Sequence, residues 1–212
     1  VVFTHRTAKL EALIQCIHEN HRSGRPVLAG TAAVAESEEL GNRLLSVGLS
    51  CEVLNARNDA AEAEVIEEVG APGAITISTN MAGRGTDIRL GGRDESRRVE
   101  VISRGGLCVI GTNRHESRRI DDQIRGRAGR QGDSGSSRFY ISLEDPLIQR
   151  HGIDSLIPER YRRPLRTEPL DHPAVQREID RAQRIVEGQS FEIRRTLSRY
   201  SQFIEGQRRQ LF

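Results

Sequence analysis

A single lysine, Lys9, serves the whole 212-residue chain, and that scarcity excludes more than any other feature. A phosphate-cradling P-loop needs Gly-x-x-x-x-Gly-Lys-Ser/Thr, with the ammonium reaching the terminal phosphates. Lys9 follows Arg6-Thr7-Ala8 with no glycine ahead of it, and no Asp-Glu-x-Asp-type metal-binding sequence is present. The chain can therefore complete a nucleotide site but cannot form one alone. Cysteine is also scarce: Cys16, Cys51 and Cys108 are isolated, odd in number and set in apolar contexts. That spacing offers neither a metal site nor a redox motif, and it suits a reduced cytosolic protein with three small buried side chains. No apolar run approaches the ~18 residues that a membrane span requires, so membrane contact is expected to be peripheral. Aromatic residues make up only 4% of the chain, too few for a base-stacking platform, and the net charge of +2 does not by itself argue for nucleic acid.

With 36% hydrophobic and 29% charged residues, the chain can build one moderate core under an extensive polar surface. The periodicity predicts a helix from Lys9 to about Arg22, with Leu10, Leu13, Ile14 and Ile17 on one face and Gly24 as a stop. A strand over Val27-Leu28-Ala29-Gly30-Thr31, a helix over 36–47, a strand over 51–54 and a helix over 62–69 follow. Further strands are expected at 74–78, 107–111 and 137–143, and a helix at about 114–128. In that helix Asn113 reads as N-cap and Glu116 as its reciprocal partner. Arg118, Arg119, Asp121 and Asp122 read as charges on its outer face or against a neighbouring domain. His115 beside Glu116 is not a metal site, because adjacent helical residues diverge and no second ligand is near. Strands alternating with helices imply an α/β fold: a RecA-like parallel sheet with helices on both faces, over residues 1–150. Residues 151–170, rich in Pro and Arg, read as a connector. From residue 171 to 212 a stripe of Val175, Ile179, Ala182, Val186, Ile193, Leu197, Tyr200 and Ile204 predicts one long helix, with Gly188 as a candidate break. At about 57 Å such a helix outruns a small domain and should brace several neighbours.

Two stretches carry chemistry. Ile75-Thr76-Ile77-Ser78 empties into Thr79-Asn80-Met81-Ala82-Gly83-Arg84-Gly85-Thr86-Asp87. A buried strand followed by a Gly-x-Gly loop at the carboxyl end of a parallel sheet is a place where ligands bind. Gly83 and Gly85 permit close backbone approach, and Asp87 offers a carboxylate to a ribose hydroxyl or an arginine. The second stretch is Gln123-Ile124-Arg125-Gly126-Arg127-Ala128-Gly129-Arg130-Gln131-Gly132-Asp133. Arg127 and Arg130, three apart at a helix end, can reach one anion from one face. Two permanently charged forks suit the charge on a transferring γ-phosphoryl group. Taken alone, the segment equally fits an arginine-rich helix end on nucleic-acid phosphates or in solvent.

Together the two stretches resemble motifs V and VI of superfamily 2 helicase-type ATPases, and more specifically the SecA family of preprotein translocase ATPases. The resemblance extends through Leu90-Gly91-Gly92, Gly105-Gly106-Leu107, Ile110-Gly111-Thr112, Arg114-His115-Glu116-Ser117-Arg118-Arg119-Ile120-Asp121 and Gly135-Ser136-Ser137-Arg138-Phe139-Tyr140. It implies the second motor domain of a larger protein, followed by the start of a helical scaffold, with the first motor domain upstream. That first domain would hold most of the ATP and Mg²⁺, and this chain alone would be inactive. The resemblance assigns Arg127 and Arg130 as arginine fingers, and Gln123 and Asp133 as contacts to the nucleotide. It makes Gly83, Gly85 and Asp87 the elements that couple nucleotide state to domain closure. The implied partners are the first motor domain, unfolded preproteins and a SecYEG-type channel; homodimerisation of the parent is compatible with it, and nucleic acid is not expected. The implied location is cytoplasmic, peripheral to the inner membrane.

Departures from the family pattern are confined to other positions. The chain between Gly92 and Gly105 is short, Asn113 and Cys108 replace a usual Glu and His, and Asn58-Asp59 interrupts a stretch that carries a histidine elsewhere. These point towards an accessory paralogue. Two other classes remain open at this level: the second motor domain of an RNA or DNA helicase, and a regulatory module that binds nucleotide without hydrolysis.

Overall fold

A computed structural model describes residues 1–54, 62–79, 86–129, 132–152, 157–159, 167–170 and 172–211. Three strands, β2 (Val27–Thr31), β4 (Ile75–Thr79) and β5 (Leu107–Gly111), are buried at every residue. Burial of every residue, including Thr76, Ser78 and Thr79 of β4, means cover on both faces, the condition of a parallel sheet. The sheet is five-stranded and parallel in the order β3-β4-β2-β5-β6, where β3 is Glu52–Leu54 and β6 is Gly135–Phe139.

Register sorts the side chains between two cores. Val27 lies opposite Cys108 and Ala29 opposite Ile110. They face Leu13 and Ile17 of α1 (Arg6–Arg22) and Leu40 and Leu44 of α2 (Val34–Ser46). Leu28, opposite Val109, faces the other way. There it meets Val101 of α4 (Arg98–Ser103), Ile124 of α5 (Arg118–Arg125), and Val175, Ile179, Ala182 and Val186 of α7 (Pro173–Leu211). Between these elements α3 (Glu62–Glu68) leads into β4. The expected α/β sheet with helices on both faces is what the chain forms.

Several elements differ from expectation. The strand expected over 137–143 breaks at Tyr140, which donates its backbone N–H to Gly111. The chain then leaves β5 and pairs in parallel with β1 (Val2–Phe3) as β7 (Ile141–Ser142). The stretch over 93–104, polar in sequence, contains α4, held by the fully buried Val101. A short α6 (Pro146–Arg150) starts at a proline in the first turn, where the missing N–H costs nothing. The arginines at 160, 162, 163 and 166 in the connector lie outside the described residues.

Two glycines matter for close packing. A Cβ on Gly111 would sit 2.3 Å from the Phe139 ring, so only glycine at the end of β5 lets that ring lie flat beneath α5. The guanidiniums of Arg114 and Arg125 then stack over the same ring at 5.2 and 4.8 Å. Gly91, at φ 99°, runs so close to Arg98 that a side chain would collide with its backbone nitrogen at 2.4 Å.

The long helix α7 is continuous over 39 residues, with no break at Gly188. Only its first half is packed: Val175, Ile179, Ala182 and Val186 are buried, whereas Phe191, Ile193, Leu197, Tyr200, Phe203 and Ile204 are exposed. A Cβ on Gly188 would meet nothing within 4 Å. Gly188→Ala should therefore stabilise the helix by about 0.5–1 kcal/mol, read as a higher thermal midpoint by circular dichroism at 222 nm. An unchanged or lowered midpoint would mean that the helix is interrupted there.

The cysteines are not equivalent. Cys108 is buried, while Cys16 and Cys51 are half-buried. The Cys108 thiol donates to Cys16; with the Tyr140 hydroxyl and despite burial, it holds the Cys16 thiol down to about 6. The same contact and burial push Cys108 up, and burial pushes Cys51 up. The expectation of three buried small side chains thus holds fully only for Cys108. Iodoacetamide at pH 7 should label Cys16 first, at a rate already near its plateau, with Cys51 and Cys108 slow. A Cys16 rate still rising tenfold per pH unit above pH 7 would contradict this.

Candidate nucleotide site

The described site residues fall on the stretch after residue 86 and on α5 and the turns that follow it, which meet on the α4–α5 side of the sheet. After β4 the chain returns past Gly70, accepting no side chain there: a Cβ on Gly70 would lie 2.0 Å from the Arg89 carbonyl oxygen. Gly91 N–H donates to Gly70 at 2.8 Å, and Gly70 precedes β4. From the other side, the Ser134 carbonyl abuts Gly106, which precedes β5. Between these crossings lies a cavity of about 390 Å³ lined by Asp87, Arg89, Leu90, Glu95, Arg98 and Asp133. It flanks the amino-terminal ends of the strands, not the carboxyl edge expected from the strand–glycine loop. The close approach at Gly70 fixes the described stretch from residue 86 to Gly91 there.

Asp87 and Asp133, 46 positions apart, are thus brought to one cavity. Asp87 is exposed. Asp133 accepts from Arg98 Nη2 in an ion pair and keeps only 17% of its side-chain surface exposed. Sequence reasoning missed Arg98, which carried no signal beyond lying in a polar stretch. Gly83, Gly85 and Arg130 lie outside the described residues.

The helix that carries the second motif is shorter than expected. It begins at Arg118, not near Arg114, because Asn113 is committed elsewhere: its Oδ1 accepts from Lys9 at 3.2 Å and its Nδ2 donates to Glu36 at 2.7 Å. Ser117 occupies the N-cap position without capping the helix; its hydroxyl donates to Glu187 instead. Glu116 is exposed, 3.8 Å from Arg150. At the other end α5 stops at Arg125, and Arg127 sits in a tight turn closed by its N–H to Ile124 at 3.1 Å. Arg127 is half-buried and Gln123 exposed. Neither is among the lining residues of the cavity, but the turn packs against the backbone that carries Asp133. A Cβ on Gly135 would strike the Ala128 carbonyl at 1.7 Å, and one on Gly129 would lie 3.8 Å from the Asp133 carbonyl.

Asp121, expected on the outer face or against a neighbouring domain, is fully buried within the described residues. It accepts from the His115 backbone N–H at 3.1 Å, Arg114 Nη1 at 3.0 Å and Gln183 Nε2 at 2.8 Å, and its Oδ1 lies 2.8 Å from His115 Nδ1. Burial pushes this carboxyl up, but donors from His115, Gln183 and Arg114 outweigh it and hold it below the ordinary carboxylate range. The group fastens the motif helix to α7.

A second crevice, also missed, opens at the carboxyl ends of β2 and β5, whose connections leave in opposite directions. Here the sole lysine is buried: Lys9 Nζ donates to the Thr112 carbonyl at 3.0 Å and is ion-paired with Asp145, itself 4% exposed. Burial pushes the Asp145 carboxyl up even with Lys9 beside it. Among the described residues no group of three or more His, Cys, Asp or Glu side chains could hold a metal, and no helix is long and apolar enough to cross a membrane.

Comparison with known proteins decides the family. The SecA P-loop domain model matches residues 1–100 and 94–160, and the SecA Wing and Scaffold domain model matches residues 169–212. The chain belongs to the SecA family. The protein translocase subunit SecA 2 of Thermobifida fusca is 52% identical over 202 residues, which is 94% of this chain and 26% of that protein. The protein translocase subunit SecA of Syntrophus aciditrophicus is 46% identical over 213 residues, 100% of this chain and 24% of that protein. The chain thus spans about a quarter of the length of these SecA relatives. Among solved structures, domain 2 of the DEAD-box helicase Mss116p, bound to an RNA duplex, matches 73% of this chain and 58% of that one. Its TM-score is 0.52 at 15% identity. That likeness is one of fold.

In this SecA chain the depressed Asp121 carboxyl contributes stability that is present above its unfolded value of about 3.9 and is lost as pH falls through the lower folded value. Asp121→Asn should cost about 3–5 kcal/mol at pH 7 and flatten the loss of stability below about pH 4, measured by urea denaturation at each pH. Parallel acid limbs for both proteins would place that loss elsewhere.

Proposed function

We propose that this chain is the second motor domain, residues 1–150, and the start of the scaffold helix, residues 171–212, of an ATP-driven protein translocase. In this reading a first motor domain of the same parent holds the ATP phosphates and Mg²⁺, whose chemistry is to bridge and neutralise the phosphate oxygens. This chain closes the pocket from the other side. The observation that carries the reading is the meeting of the two motif stretches: Asp87 and Asp133 line one cavity, and the turn bearing Arg127 lies beside the Asp133 backbone. Two loops distant in sequence, one acidic at its end and the other arginine-bearing, suit the lid of a nucleotide pocket.

The roles follow from chemistry. Arg127 and Arg130 act as arginine fingers on the charge of the transferring phosphoryl group. Gln123 hydrogen-bonds the terminal phosphate or the facing loop. Asp87, Asp133, Gly83 and Gly85 contact the nucleotide and report its state, with Arg98 holding the Asp133 carboxylate in place. Closure moves the α5 end against the ligand, and α7, tied to α5 through Asp121, carries the motion outward. The substrates are unfolded preproteins, the docking partner is a SecYEG-type channel, and the location is the cytoplasmic face of the membrane. The departures at Cys108 and Asn113 favour an accessory paralogue.

The test restores the missing half. Residues 1–212 are exchanged into a full-length SecA relative, and ATPase and translocation rates are measured with Arg127→Ala and Arg130→Ala. Each substitution should lower turnover by about 10³–10⁵, with nucleotide affinity changed far less. Wild-type turnover in the double variant would sink the assignment.

A further inference from the structure

A second cavity is larger than the one above. It lies between α5 and α7, about 480 Å³ in volume, and six arginines line it: Arg114, Arg118, Arg125, Arg177, Arg181 and Arg184. Three carboxylates share its walls, those of Glu178, Asp180 and Glu187, while Asp121 and Asp122 pair with Arg114 and Arg125 from outside the lining, so one positive charge is in excess. The carboxylates are already engaged. Asp180 accepts from Arg114 Nη2 at 3.2 Å, Glu178 pairs with Arg181 at 3.7 Å, and Glu187 accepts from the Ser117 hydroxyl at 2.9 Å and the Arg118 N–H at 3.2 Å. Arg125 pairs with Asp122, outside the cavity lining, at 2.6 Å. Among the described residues, no carboxylate lies within ion-pair distance of the guanidiniums of Arg118, Arg177 and Arg184. At the base, Arg114 is only 9% exposed, and its Nε is buried with no hydrogen-bond partner.

This arrangement is not the ordinary solvated face of a helix. Both walls are fixed: Val175, Ile179, Ala182 and Val186 pack α7 into the core, and Gln183 donates to the His115 carbonyl at 2.8 Å. Unpaired like charges held around one concavity repel, and an orphaned buried donor carries a desolvation cost. A polyanion with several oxygens would relieve the repulsion among the three guanidiniums that have no carboxylate partner. Guanidinium forks match phosphoryl oxygens in bidentate geometry, which a single carboxylate or chloride cannot satisfy three times over. We propose that the α5–α7 cavity is a binding site for a diphosphate group, separate from the nucleotide pocket, with Arg118, Arg177 and Arg184 as its ligating residues. Occupancy would clamp the anchored half of α7 onto the motif helix.

The probe is inorganic pyrophosphate, titrated calorimetrically into the 212-residue chain in magnesium-free buffer at constant ionic strength. Arg177→Ala/Arg184→Ala is compared with wild type, and Arg127→Ala serves as the control at the nucleotide pocket. Arg177 and Arg184 are exposed and unpaired, so the double variant should keep its far-UV spectrum and thermal midpoint. Pyrophosphate should bind saturably, the double variant should weaken it at least tenfold, and Arg127→Ala should change it less than twofold. ADP is titrated in parallel. An equal weakening for ADP would identify a nucleotide tail as the source of the diphosphate, and an ADP isotherm indifferent to the double variant would identify the free anion; either supports the site. No saturable pyrophosphate binding, or binding untouched by the double variant, would overturn it, as would a loss caused by Arg127→Ala alone, which would place the anion in the nucleotide pocket.

Discussion

The architecture turns on one buried carboxylate. Asp121 has no solvent exposure and gathers donors from the loop after β5, through Arg114 and His115, and from α7, through Gln183. A buried charge of this kind is tolerable only when each oxygen is satisfied, and here each is. One satisfied anion therefore orients three things together: the non-helical run ahead of α5, the start of α5 itself, and the attachment of α7. The apolar seam of Val175, Ile179, Ala182 and Val186 supplies burial energy, but apolar contact alone does not set the rotation of a helix about its axis. Gln183, bonded to both Asp121 and the His115 carbonyl, does.

The same side of the sheet holds two basic features among the described residues. The turn carrying Arg127 follows α5, and the arginine-lined cavity lies between α5 and α7. A guanidinium stack on Phe139, made possible by the bare Cα of Gly111, joins them to β5 and β6. The arginine-for-lysine bias of the sequence has a structural counterpart here, because only a planar cation can lie on a ring and keep its edge free for carboxylates.

What could be read in advance was whatever rests on a run of neighbouring residues. Strands β2 and β5 are runs of apolar and small residues, β4 is a short β-branched run, and α7 repeats every three or four residues, so the sheet, its cover and the long helix were all legible. What escaped depends on residues far apart. Asn113 looks like an N-cap until Lys9 and Glu36, distant in sequence, claim its amide. Asp121 looks solvated because Arg and Asp neighbours crowd it locally; its burial comes from Gln183, 62 positions away. α4 hid in a polar stretch because a single residue, Val101, anchors it. The strand over 137–143 divided because β1 offered Ile141 a partner that no local pattern announces. At the candidate site, the pairing of Asp87 with Asp133 was foreseeable only through family resemblance, and the Arg98 contact not even by that route.

The uneven packing of α7 has a mechanical corollary. Its first half is bolted to the sheet while the stretch beyond Gly188 stands clear, and at 1.5 Å per residue that stretch reaches about 35 Å. A stiff rod of that reach multiplies angle into travel: rocking the bolted end by about 10° sweeps the tip through roughly 6 Å. Adjustments too small to disturb the core can thus become displacements on the scale of a whole helical turn.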